Sequence, residues 1–127
     1  MIEPNLHNVS PLGKCWVFDL DGTIVKHNGY LTDGHDTLLA GAKDFFKKIP
    51  GEDTVIILTA RTEEYCEMTE SFLLQEGIRF DYIIYNMPVG ERIIVNDKKP
   101  SGLKTAIAVN TIRDSFMEDV FIVDENL

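Results

Sequence analysis

The sequence predicts an α/β fold: a mostly parallel sheet flanked by helices. Short apolar runs recur along the chain, such as Cys15-Trp16-Val17-Phe18 and Val55-Ile56-Ile57-Leu58. Segments with apolar residues at helical spacing alternate with them, the pattern of a parallel sheet covered by its crossover helices. Several of the apolar runs also end in polar chemistry: Asp19 and Asp21 after the first, Thr59 after the second, Asn96-Asp97 after a later one. In open α/β sheets, ligands gather outside the carboxyl ends of the strands.

The elements follow in order. Residues 1–13 read as an irregular arm, broken by Pro4, Pro11 and Gly13. Lys14 to Leu20 is the first strand, apolar enough to suggest burial on both faces. Asp21 to Asp36 is polar and long for a plain connection, as functional loops often are. Leu38, Leu39, Ala42, Phe45, Phe46 and Ile49 predict an amphipathic helix ending at Pro50-Gly51. Thr54 to Thr59 is the second strand. Thr62 to Glu76 is the next helix, with Tyr65, Met68, Phe72 and Leu73 inward and Gly77 closing it. Further strands are expected over 81–85, 92–95, 105–109 and 120–123. Only residues 86–91 separate the third and fourth, whereas a parallel crossover needs about a dozen residues. That pair is therefore antiparallel, or one strand is shorter than drawn.

The 127 residues suit one domain, and a 44% hydrophobic content supports a packed core. Lys+Arg 12 against Asp+Glu 21 gives a formal charge of -9, which argues against nucleic acid or an anionic membrane as partner. A small anionic substrate stays open, because a bound divalent cation reverses the local field. Cys15 and Cys66 lack metal-ligand spacing and read as reduced, partly buried thiols. His7, His27 and His35 share no ligand spacing and read as surface or loop residues. Residues 1–12 do not resemble a signal peptide, and no apolar run approaches a membrane span, so a cytoplasmic protein is expected.

The chemistry centres on Asp19-Leu20-Asp21-Gly22-Thr23. Two carboxylates converging on one strand tip repel unless a cation sits between them, and magnesium suits oxygen ligands of this kind. The stretch resembles the DxDGT motif of the haloacid dehalogenase-like superfamily of magnesium-dependent phosphotransferases. That resemblance covers roughly 14–101 and implies a Rossmann-like core with a flap but no room for a cap domain. It implies Asp19 as the nucleophile that becomes an aspartyl-phosphate and Asp21 as general acid/base. A flap would lie over residues 21–36, with His27, Asn28 and Tyr30 near it.

By the same resemblance Thr59 donates to the transferring phosphoryl group; its alternative is to cap the following helix. Arg61 either forks onto a phosphate or substrate carboxylate, or pairs with Glu64. Gly22, Thr23, Ala60, Arg61 and Lys98 are assigned to the substrate. Asp19, Asp21 through its main-chain carbonyl, Asp97 and Asn96 are assigned to Mg²⁺. The resembled family also needs a lysine beside the nucleophile, but no lysine lies between Thr59 and Asn96. Lys99 is the first candidate, then Lys98, with Lys104 behind them.

These readings lead to a Mg²⁺-dependent phosphomonoesterase acting on a small phosphorylated metabolite, such as a sugar phosphate. A catalytically weak binding or regulatory module in sugar or capsule biosynthesis is the alternative. An open site leaves room for a lid lent by a second copy, so a homo-oligomer stays open.

Overall fold

The computed structural model describes residues 5–127. In chain order its elements are β1 (Leu6–Val9), β2 (Cys15–Asp19), α1 (Gly29–Thr32), α2 (Ala42–Lys47), β3 (Thr54–Leu58), a 3₁₀ turn (Glu63–Tyr65), α3 (Cys66–Gln75), β4 (Tyr82–Ile84) and β5 (Val120–Val123). The result is a mixed α/β architecture with parallel strands and flanking helices, consistent with a Rossmann-like fold. The chain clusters into two compact units.

The larger unit comprises Gly13–Pro88 and Thr111–Phe116. Its parallel sheet has the order β2-β3-β4, with Asp19 in register with Leu58 and Leu58 with Ile84. The central strand β3 buries Val55 and Ile57 completely. Strand β2 lies at the sheet edge and buries only alternate positions: Phe18 is inside, whereas Cys15, Val17 and Asp19 are exposed. This corrects the expectation of a strand covered on both faces and of a partly buried Cys15. An edge strand has one neighbour, and apolar composition alone does not supply the second.

Trp16, Phe18, Phe45, Phe46 and Phe116 form the aromatic core of this unit. Asp53, itself buried, accepts hydrogen bonds from the Lys14 backbone N–H (3.0 Å) and the Trp16 indole (2.9 Å), fixing where β2 begins. The predicted helix around 38–49 shrinks to α2. Its first turn is lost because Val25 pairs with Leu38, and Leu39 N–H donates to the Ile24 carbonyl (2.9 Å). Gly41, at φ 93°, then turns the chain into α2, a conformation that glycine adopts without steric cost. Helix α3 ends as expected at Gly77, also left-handed. Leu73 is buried on its inner face, but Met68 is exposed and Thr69 takes an inward place.

The second unit comprises 5–12, Val89–Asn110 and Met117–Leu127. Strand β1 pairs in parallel with β5, and His7 bonds Asp119 at 2.7 Å while stacking on Phe121. The irregular arm expected over 1–13 thus contains a strand, whose partner lies over a hundred residues away and leaves no local signal. Residues 1–4 of that arm lie outside the described residues. The strands expected over 92–95 and 105–109 are absent: no backbone ladder reaches them. Ile93 and Val95 are 85% and 92% exposed. The seven residues between β4 and position 92 are too few to swing a chain into a parallel position, so β-branched composition finds no neighbour. Among the described residues no helix is long and apolar enough to cross a membrane.

Candidate active site

The DxDGT stretch folds as a tight loop hung on buried apolar anchors. The Leu20 carbonyl accepts backbone N–H bonds from Thr23, Ile24 and Val25. Leu20, Ile24 and Val25 are all buried to 1% exposure or less. Gly22, at φ 81°, donates to the Val25 carbonyl at 2.7 Å, which closes the turn. Asp19 is left at the exposed tip of β2, and its Oδ2 accepts the Thr23 hydroxyl at 3.1 Å. Asp19, Asp21, Gly22, Thr23, Thr111 and Arg113 line a polar cavity of about 260 Å³.

Behind Asp21 stands Arg61, buried to 3% exposure. Its guanidinium donates through Nε and one Nη to the two Asp21 oxygens, at 3.1 and 2.9 Å. It donates to the two Asp36 oxygens at 3.0 and 2.6 Å, and to the Thr69 hydroxyl at 2.9 Å. A guanidinium has five N–H donors, so all are used. The Tyr30 ring lies 3.9 Å from the Arg61 carbon, within cation–π range. Burial alone would depress the arginine pKa, but the bonds to Asp36 and Asp21 outweigh it and hold the charge. The Tyr30 phenol is pushed up, by burial first and then by Asp21.

Arg61 therefore makes neither partnership that the sequence suggested. Glu64 instead accepts the Thr62 hydroxyl (2.9 Å). Thr59 is buried, and its hydroxyl accepts the Arg61 N–H at 3.1 Å, holding the turn after β3. It is not among the cavity-lining residues, nor does it cap the helix: Thr62 precedes the 3₁₀ turn with no side-chain cap. Ala60 is exposed on the same turn. Sequence reasoning missed Asp36, Thr69, Thr111 and Arg113. Nothing local marks the first two, and the last two sit in a segment given no element.

Asn96, Asp97, Lys98 and Lys99 belong to the second unit. There the Asn96 amide donates to the Thr105 hydroxyl at 2.8 Å, and Lys99 N–H donates to the Leu103 carbonyl at 2.9 Å. Asp97 and Lys98 are exposed. Among the described residues, no three His, Cys, Asp or Glu side chains gather as metal ligands. Around Asp19 the donor groups are oxygens: its own carboxylate, the Thr23 hydroxyl and the Asp21 peptide. That chemistry suits Mg²⁺ only if waters or phosphate oxygens complete the shell.

No protein-family model matches the chain, and neither does any curated protein. The chain is similar to one chain in a solved structure of a Pnkp1/Rnl/Hen1 complex. They share 28% identity with a TM-score of 0.50 over 67% of this chain and 32% of the solved one. That likeness lends weak support to the haloacid dehalogenase-like fold. It also corrects an expectation: a small-molecule partner with nucleic acid excluded does not fit a neighbour drawn from a macromolecular assembly. The exclusion rested on the net charge of -9, which sums the whole chain and says nothing of a cavity wall carrying Arg113.

Proposed function

We propose that the chain is a phosphoester hydrolase that removes a terminal phosphate from a polynucleotide end. The observation that carries this reading is the exposed Asp19 carboxylate at the tip of a sheet strand, on a polar cavity shared with Asp21. The solved neighbour comes from a Pnkp1/Rnl/Hen1 complex, a likeness that supports phosphoester chemistry and a nucleic-acid substrate. An open cavity also suits a phosphate at the end of a long chain better than an enclosed pocket would.

In this mechanism Asp19 attacks phosphorus, the bond from phosphorus to the ester oxygen breaks, and an aspartyl-phosphate forms. The Thr23 hydroxyl holds the attacking carboxylate in orientation. Asp21 gives its proton to the departing oxygen. Asp21 then takes a proton from water as that water attacks phosphorus, which releases phosphate and restores Asp19. Bound Mg²⁺, with Asp19 among its ligands, would supply positive charge against the phosphoryl oxygens.

The test is release of inorganic phosphate from oligonucleotides carrying a 5′- or 3′-terminal phosphate, with Mg²⁺ and after chelation. Asp19→Asn is expected to lower turnover by at least about a thousandfold, since it removes the group that forms the covalent bond. Turnover that survives this substitution refutes the mechanism. Turnover of sugar phosphates in preference to oligonucleotides refutes the substrate class.

A further inference from the structure

A carboxylate that attacks a phosphate monoester faces like charge, so the site needs a fixed cation aimed at the phosphoryl oxygens. The sequence offers no lysine between Thr59 and Asn96 for this task. Arg61 cannot serve either, because each of its N–H donors already has an acceptor. The cavity wall carries a second arginine, Arg113, which is exposed and makes no ion pair among the described residues. We infer that Arg113 is the phosphate-gripping residue of this site and binds the non-bridging oxygens of the group that Asp19 attacks.

Its position is built into the fold. Asp114 adopts φ 65°, a left-handed conformation uncommon outside glycine. Its N–H donates to the Gly22 carbonyl at 2.8 Å, and its carboxylate accepts the His27 N–H at 2.7 Å. Two hydrogen bonds thus staple the 111–116 segment to the loop that carries the DxDGT motif. Phe116 anchors the far end, buried between Phe45 (5.6 Å) and Phe18 (6.4 Å). A methyl group on Gly22 would approach the Arg113 stem to 3.3 Å, so glycine at that position also admits the arginine. A guanidinium is suited to the task because its planar fork matches two phosphate oxygens at once.

This inference rests on the phosphoester-hydrolase reading above, and two readouts on the full chain separate them. The first is binding of inorganic phosphate by calorimetry, with and without Mg²⁺. The second is kcat and KM on the phosphorylated oligonucleotides. Arg113→Ala is expected to weaken phosphate binding by about tenfold or more and to lower kcat/KM by about a hundredfold. Arg113→Lys should recover part of both, since the charge returns without the fork. If Arg113→Ala keeps the phosphate affinity and kcat/KM of the intact chain while Asp19→Asn is inactive, the inference falls and the function stands. If the intact chain turns nothing over but binds phosphate through Arg113, the function falls and only the phosphate-binding role of Arg113 stands. An intact chain that binds no phosphate overturns the inference.

Discussion

Arg61 and Arg113 both border the Asp19–Asp21 pair, in two regions with opposite physics. Behind Asp21, Arg61 is buried, its donors are saturated, and two carboxylates plus an aromatic face fix it from several sides. At the cavity mouth, Arg113 is exposed on a segment stapled to the DxDGT loop. A buried charge with every donor spent can organise its neighbours but cannot take up a ligand. An exposed one with donors to spare contributes little to folding and much to recognition. Residue type does not separate these roles; hydrogen-bond accounting does.

The contrast breaks most sharply at Arg61. Arg61→Ala leaves Asp21 and Asp36 without their shared cation, and a buried ion pair stripped of one partner costs about 3–5 kcal/mol. Equilibrium urea denaturation should show that loss, whereas Arg113→Ala should stay within about 0.5 kcal/mol of the parent. Equal effects at the two arginines would erase the distinction. Gly22→Ala comes next. It places a side chain at φ 81° and crowds the Arg113 stem, with an expected cost of about 1–2 kcal/mol. Its phosphate affinity should fall with the displaced arginine; unchanged affinity would detach Arg113 from the site.

The smallest effect lies at Tyr85. Burial, then the hydrogen bond to Glu70 (2.9 Å), pushes this phenol above its usual range. A raised folded pKa means that its stabilisation is complete below the unfolded value of about 10 and fades as pH rises through the folded one. Tyr85→Phe should therefore flatten the alkaline fall in melting temperature while leaving the neutral value nearly unchanged. A curve of unaltered slope would remove Tyr85 as its source.

Strands β2, β3, β4 and β5 were legible because each is a short apolar run, and the end of α3 was legible in Gly77. The same signal misled at 92–95, where Ile93 and Val95 have the right composition but no strand to pair with. It misled at 38–41 too, since Leu38 and Leu39 bond back to the loop at 24–25 instead of starting a helix. At the site, Asp19, Asp21, Gly22 and Thr23 could be read as a cluster because they are contiguous. The Asp36–Arg61–Thr69 arrangement could not, since it exists only once the loop, the turn after β3 and α3 have come together. Arg113 was hidden for the same reason: its link to Gly22 runs through one backbone hydrogen bond from Asp114.

That staple has a temporal consequence. A ribosome releases the nucleophile's loop long before residues 111–116, a delay on the order of ten seconds at ordinary elongation rates. Until the last of these emerges, the aromatic cluster lacks Phe116 and the cavity lacks a wall. A nascent chain stalled short of that point would display the acidic pair without the groove that gives it a ligand.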